Sequence, residues 1–374
     1  MPDFAVRRDR LLHSLREEGL ETVLVTNPVN VTYLTGFTGE SSYLVLMPER
    51  SVLVSDGRFT TQLAEEGPEL ETYIRPPVQT LSEATGLVLD KLGVRSVGYE
   101  SAHLTVAEHE ALQKAVPGVC WKPGRDRVEK LRQIKDADEL LQIREAIHIA
   151  ERAWAMFRAL LRRDDNEKEL SDAMEMYVRR AGGKCTSFPT IVAVDERAAL
   201  PHAPPTDRRV RQANLILVDW GASGRLYKSD LTRVLIPHNN AAFQGDTSGP
   251  NSKLADVYGI VLRAQQRALE MLRPGVKAGA VDAAARGVIA EAGYGDFFTH
   301  SLGHGLGLQV HEAPLLKPGS EAIIEPGMVV TIEPGVYLPG WGGIRIEDDV
   351  LVTTEGCEVL THVARDLSSN LIEL

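Results

Sequence analysis

The sequence predicts an α+β chain of two domains: an N-terminal α/β domain over 1–125 and a C-terminal domain over 133–374 of paired helices and mainly antiparallel strands. Three observations carry this. The chain has 374 residues, 43% of them hydrophobic, more than one core usually organises. Over the first third, short apolar runs alternate with helical patterns, as in an α/β layer. Beyond residue 133 the order becomes helix pair, strands, helix pair, strands, which implies an internal duplication with helices packed on one face of a curved sheet.

In chain order, residues 4–18 have helical spacing and end at Gly19, a suitable C-cap. ETVLVT (21–26), SYLVLM (42–47), SVLVS (51–55), ETYIR (71–75) and VRSVGYE (94–100) read as strands. RFTTQLAEE (58–66), SEATGLVLDKL (82–92) and LTVAEHEALQKAV (104–116) read as helices. This domain is expected to end near 125, in the polar stretch WKPGRDR. The second opens with helical patterns at 134–161 and 167–181, the first capped by Asp136 with Glu139 three residues on. Strands are expected at 187–194, 214–220 and 225–236, helices at 253–273 and 279–292, and strands at 328–338 and 343–353. HNNAAFQGDTSGPNS (238–252) has no periodicity; it is a solvated insert or a rim of the functional site.

Composition excludes several functions. The net charge is −11 and there is no basic tract, which argues against nucleic acid and anionic membranes as partners. No apolar run reaches the length of a membrane span. The N-terminal MPDFAVRRDRLLHSLREEGL carries charges throughout and lacks an apolar h-region, so it reads as an amphipathic helix rather than a signal peptide. Cys120, Cys185 and Cys357 are scattered, without a CxxC pair. Neither disulfides nor cysteine-held zinc is expected, and a reducing cytoplasm fits.

The chemistry concentrates in acids that stand inside strands. In LVDWGASGRLYKSDLTR (217–233), Asp219 and Asp230 are eleven apart, centred on Gly224 and Arg225. A two-residue turn there sets the two carboxylates face to face across a ladder, where they repel. Either a cation sits between them or a bulge turns one to solvent. A second pair shifts the balance to the cation: Glu333 in TIEPG and Glu347 in RIEDD are fourteen apart, centred on Gly340. Both lie in apolar strand contexts where an unpaired carboxylate is costly. HSLGHGLGLQVHE (300–312) adds His300, His304 and His311 among glycines that allow close backbone approach. One imidazole among four carboxylates makes a hard, oxygen-rich site for two divalent ions; Mn²⁺ fits best, and Co²⁺, Fe²⁺ and Zn²⁺ are compatible. Asp348 and Asp349 read as groups behind the ligands or on the surface, and His300 as structural. His202, in LPHAPPTD, is a loop histidine or a substrate contact.

At these residues the chain resembles the proline-specific pita-bread metallopeptidases, aminopeptidase P and prolidase. The matching segments are SFPTIVAV, LPHAPPTD, VDWGASGRLYKSDLTR, HSLGHGLGLQVHE, TIEPGVY and GIRIEDDVLVT, with NVTYLTGFTGESSYLVL and SDGRF in the first third. The resemblance implies a pita-bread (creatinase/aminopeptidase-like) domain behind an RNase-H-like, creatinase N-terminal-like α/β domain. It implies that Asp219 chelates one metal, Asp230 and Glu347 bridge both, and His304 and Glu333 bind the other. Glu333 would also accept a proton from a metal-bridging water. His202 and His311 would steady the scissile carbonyl oxygen, and Arg345 would orient carboxylates behind the ligands. A homodimer is also implied.

The expected activity is that of an Xaa-Pro aminopeptidase, releasing the first residue from peptides with proline second. The alternative on the same scaffold is an Xaa-Pro dipeptidase. A dipeptidase must recognise the carboxylate that follows proline, a task for arginine. Leu315 of HEAPLL stands where prolidase-like members often carry that arginine, which favours longer substrates; Arg58 of SDGRF is another source of the cation, or a surface group. Phe188 and Val310 are candidates for the proline pocket, or for ordinary core. The rival readings are a non-catalytic pita-bread binding protein, an amidino-compound hydrolase without metal, and a methionine aminopeptidase. Five intact ligand positions and the extra N-terminal domain weigh against them.

Overall fold

The structure is a computed structural model describing residues 3–237 and 250–374. Residues 238–249 of the polar 238–252 stretch lie outside those described, and a helix begins at Pro250. The chain divides between Arg132 and Gln133 into two compact units.

The first unit is a six-stranded mixed sheet in the order Glu71–Arg75, Arg50–Asp56, Tyr43–Met47, Val23–Val25, Ser96–Glu100, Cys120–Gly124. Four of its helices start on side-chain caps that satisfy orphan N–H groups. Asp3 caps Phe4–Glu17, Asn27 caps Pro28–Thr35, and capping boxes Thr80/Glu83 and Thr105/Glu108 open Leu81–Lys91 and Val106–Ala115. Leu24, Val45, Val54, Leu89, Val97 and Leu112 form the core. The stretch read as a polar domain end contains an edge strand, Cys120–Gly124, paired in parallel with Ser96–Glu100. Pro123 disguises it; only an edge position tolerates the missing N–H.

In the second unit, the Asp136/Glu139 capping box opens the helix Ala137–Leu160, and Asn166/Glu169 opens Glu167–Arg180. The second helix pair is Pro250–Met271 and Ala278–Glu291. A four-stranded sheet runs Leu371–Ile372, Leu231–Pro237, Ile216–Trp220, Ile191–Val194. A five-stranded antiparallel sheet runs Glu312–Leu316, Gly303–Gly305, Val329–Ile332, Asp348–Val352, Cys357–Val359. Strand alternation sorts the four-stranded sheet's side chains into two cores. Val192, Val194, Ile216, Val218 and Trp220 pack with the first helix pair, where Trp220 stacks on Trp154 at 4.4 Å. Ala193, Leu215, Leu217, Val234 and Ile236 join the core shared with the second pair.

Three strand expectations are corrected. Residues 225–236 are not one strand: the turn spans Gly224–Tyr227, closed by Gly224 N–H donating to the Tyr227 carbonyl, and the strand begins at Leu231. The longer turn slides the register by two. Asp219 therefore pairs with Thr232, and Asp219 and Asp230 do not face each other directly. A slide of two keeps both acids on one face, so they sit diagonally. The expected strands 328–338 and 343–353 each break in two, into Val329–Ile332 and Gly335–Leu338, and into Gly342–Arg345 and Asp348–Val352. Pro334, with no N–H, sits in the first break. The outer and inner ladders keep one register, Ile332 to Asp348 and Gly335 to Arg345, so Glu333 falls opposite Glu347 in the gap.

Candidate active site

Five of the nominated side chains converge, each from a different stretch of strand. Asp219 continues the inward row of Leu215 and Leu217 on Ile216–Trp220. Asp230 immediately precedes Leu231–Pro237, and Asp349 Oδ2 accepts its N–H at 3.1 Å. His304 is central in Gly303–Gly305, whose glycines permit the crowding: a Cβ on Gly303 would lie 1.9 Å from the Thr331 carbonyl oxygen. Glu333 and Glu347 occupy the two strand gaps. Glu347 is joined to the four-stranded sheet by an isolated bridge to Thr232.

Asp230, His304 and Glu347 each offer a donor atom within 4.8 Å of the other two. His304 Nε2 lies 3.4 Å from Glu333 Oε1 and 3.7 Å from Asp230 Oδ2. Asp219 stands outside this trio, held by Arg345 Nη2 at 2.5 Å. Arg345 also donates to Thr232 Oγ1 at 3.0 Å and to the Tyr337 hydroxyl at 2.8 Å. Thr232 Oγ1 in turn donates to Glu347 Oε2 at 2.6 Å. Arg345 thus orients Asp219 itself, not the carboxylates behind the ligands; Asp348 there is held by Arg233. Asp348 and Asp349 are fully buried, which removes the surface option for both.

The electrostatics of the cluster suit a positive ion. Burial, then mutual repulsion, pushes Asp230 and Glu333 well above the ordinary carboxylate range. Glu347 is raised to about 8, by burial first and then by Asp219. Burial also raises Asp219, against the pull of Arg345. Burial, then His311, lowers His304 to about 4, so its ring is neutral. Its Nδ1 is 3.1 Å from the Gly305 carbonyl oxygen, which places the proton there and leaves the Nε2 lone pair aimed at carboxylate oxygens. Asp219 Oδ1 is buried without a hydrogen-bond partner. Acceptors facing acceptors in a buried cluster suit a divalent cation, and the hard oxygen set with one imidazole fits one.

The cluster forms the floor of a cavity of about 550 Å³. His202, His300 and His311 line it, with an apolar wall that includes Phe188, Pro201, Pro205 and Leu315. Val310 is not among the lining residues, a correction to its proposed place; Phe188 is. His311 meets His304 edge-on at 4.4 Å. His300 Nε2 is 2.8 Å from the Tyr337 hydroxyl that Arg345 also grips, and its Nδ1 is 2.7 Å from the Ser301 carbonyl oxygen, so both ring nitrogens are engaged by the protein, as its structural reading expects. Arg58, in the first unit, is paired with Asp56. Thr232, Tyr337 and Arg233 were not anticipated. The available signal for Thr232 was its position two residues from Asp230, on the same strand face.

Residues 141–354 match the model of metallopeptidase family M24, and residues 7–134 match the creatinase/prolidase N-terminal domain. The chain belongs to family M24. Its second unit is accordingly a pita-bread domain and its first a creatinase N-terminal-like domain, and the Asp230–His304–Glu347 cluster is a candidate metal site for a family that depends on divalent ions. Among the relatives of this M24 chain is an uncharacterized peptidase, YqhT, of Bacillus subtilis, 33% identical over 97% of this chain and 99% of the relative. An Xaa-Pro dipeptidase of Pyrococcus horikoshii is 32% identical over 96% and 97%. Among solved structures, an Xaa-Pro dipeptidase from Bacillus anthracis superposes with a TM-score of 0.91 at 34% identity, covering 100% of both chains. An X-Pro aminopeptidase from Thermotoga maritima does so with a TM-score of 0.85 at 32% identity, covering 97% of this chain and 100% of the other. Among the described residues, no helix is long and apolar enough to cross a membrane.

Proposed function

We propose that this M24 peptidase is an Xaa-Pro exopeptidase acting as an Xaa-Pro dipeptidase. The observation that carries the reading is the carboxylate–histidine cluster on the floor of an apolar, proline-lined cavity. The dipeptidase form is preferred over the expected aminopeptidase because two archaeal relatives and the B. anthracis structure bear that name. A specific observation favours the second reading, an Xaa-Pro aminopeptidase: Leu315, without a cation to meet a substrate carboxylate, lines the cavity.

Asp219, Asp230, His304, Glu333 and Glu347 would hold two divalent ions, Mn²⁺ by preference. When bound, such ions acidify water and polarise the scissile carbonyl, chemistry that suits a prolyl amide. Around them the chain's own groups divide the work. Glu333, ionised once divalent ions are bound beside it, accepts the proton from the attacking water. His202 and His311, on the cavity wall, donate to the carbonyl oxygen as negative charge develops. The carboxylate cluster receives a free α-amino group, selecting chain termini. Arg345 fixes Asp219 and, through Thr232, the orientation of Glu347. The cavity's apolar wall excludes water and accepts the proline ring. The working form is a cytoplasmic homodimer.

The test is turnover of an Xaa-Pro, Xaa-Pro-Yaa and longer series by metal-stripped protein, with and without Mn²⁺. Cleavage confined to Xaa-Pro supports the dipeptidase. Efficient release of Xaa from tripeptides selects the aminopeptidase, and turnover undiminished by chelation rejects the metal reading.

A further inference from the structure

Behind the ligand strands lies a second charge pair that the proposed chemistry does not use. Arg233 and Asp348 are both completely buried, and Arg233 Nη2 donates to Asp348 Oδ1 at 2.7 Å. Strand alternation explains the placing. Thr232 and Glu347 turn inward and meet at an isolated antiparallel bridge, so the next residue on each strand turns the other way. Arg233 spends its remaining N–H groups on main chain: the Thr232 carbonyl at 2.9 Å, the Glu347 carbonyl at 2.5 Å, and the carbonyls of Val363 at 2.6 Å and Ala364 at 3.0 Å. Asp348 Oδ2 accepts from Gln265 Nε2 at 2.9 Å.

The bridge itself is thin. Its main-chain bond, Glu347 N–H to the Thr232 carbonyl, is 3.3 Å long, and no ladder continues it on either side. The ladders on either side of the gap set which way Glu347 faces, so what the bridge alone decides is which residue of the Leu231–Pro237 strand meets it; a slip of one residue there would bring a residue of the opposite face, in place of Thr232, against Glu347. A buried ion pair contributes little net stability against apolar residues of similar size, and its best-attested use is to specify register. We propose that the Arg233–Asp348 pair is a register lock: a positioning pair that holds Thr232 opposite Glu347 and so aims the Glu347 carboxylate at the metal. The inference rests on the assignment of Glu347 as a metal ligand.

The test is calorimetric titration of Mn²⁺ into metal-stripped protein, with urea unfolding alongside. The double variant Arg233→Met/Asp348→Leu removes the charges and keeps the volume. It is expected to unfold at a lower urea midpoint, because the carbonyls of Thr232, Glu347, Val363 and Ala364 lose their donor, yet to remain folded in buffer and to bind Mn²⁺ at least about tenfold more weakly, the range seen when groups supporting a ligand are lost. A folded double variant with affinity within about threefold of wild type overturns the lock. Should the double variant not fold, Arg233→Lys decides by the same thresholds, because one ammonium cannot span the carbonyls of Thr232, Glu347, Val363 and Ala364 together. Glu347→Gln separates the two claims. If it leaves Mn²⁺ affinity unchanged, the ligand assignment fails and the lock with it. If it weakens binding while the double variant does not, the lock alone fails.

Discussion

Stripping divalent ions from this peptidase should make its stability fall as pH rises from about 4.5 to about 8. The cause is Glu347, whose carboxyl is raised from 4.5 to about 8 chiefly by burial. Below 4.5 the group is protonated in both folded and unfolded chains, so the folded state carries no penalty. Between the two values the unfolded chain releases the proton and the folded chain keeps it, so stability is lost steadily and is gone above the folded value. A difference of about 3.5 units at 1.36 kcal/mol each amounts to about 5 kcal/mol. At about 2–4 °C per kcal/mol for a unit of this size, the melting temperature should drop by about 10–20 °C. Asp230 and Glu333 are raised in the same direction and add to the slope, whereas His304 and His300, lowered from 6.5 to about 4 and about 3 chiefly by burial, oppose it below 6.5, so the fall is steepest between 6.5 and about 8. Bound divalent ions displace those protons, so Mn²⁺ should flatten the profile and stabilise most at the alkaline end. The assay is thermal unfolding at half-unit steps from pH 4.5 to 8, with chelator and with Mn²⁺. A chelated protein that melts as high at pH 8 as at pH 5 would refute the claim that the cluster waits for positive charge.

Four further outcomes follow from particular contacts. Thr232→Val keeps the shape but deletes the hydroxyl between Arg345 and Glu347; it should destabilise by about 1–3 kcal/mol and lower kcat/KM about 10–100-fold, read by urea unfolding and steady-state kinetics. Gly303→Ala forces a Cβ to within 1.9 Å of the Thr331 carbonyl oxygen, so elemental analysis should find metal lost from a still soluble protein. Trp220→Ala removes the stack on Trp154 and the indole bond to the Ala150 carbonyl, and should lose about 3–5 kcal/mol in denaturant titration. Leu315→Arg supplies a cation at the cavity wall and should shift the ratio of Xaa-Pro to Xaa-Pro-Yaa turnover toward the dipeptide by about tenfold, or 1.4 kcal/mol.

The acids were legible because a carboxylate inside an apolar strand is expensive unless something pairs with it. TIE and RIE announce Glu333 and Glu347 in that way, and the Asp136/Glu139 box announces a helix start just as plainly. The turn at Gly224–Tyr227 was misread because a glycine suggests a tight hairpin while the register depends on how many residues the turn consumes. The breaks at Pro334 and Ile346 were hidden by flanking apolar runs that look continuous. Arg233 carried the same signal as the acids, a charge in the apolar run LTRVLI, yet its partner Asp348 is 115 residues away. Tyr337 was equally opaque, since nothing local says that its hydroxyl meets both Arg345 and His300. Long-range pairing of this kind exists only after the sheets assemble.

The hairpin that carries Glu333 and Glu347 imposes a parity rule on the chain. Pairing is in step on both sides of the gap, from Ile332 with Asp348 to Gly335 with Arg345. The opposition of the two oxygen donors is therefore settled by residue count and is indifferent to the shape of the tip at Pro339–Trp341. The tip can change its composition freely, and the arms can lengthen by one residue each, because neither change disturbs the count between the outer and inner ladders. A single residue inserted into one arm near the gap throws one donor to the opposite side of the sheet. Insertions in this hairpin should be tolerated in symmetric pairs and rejected singly.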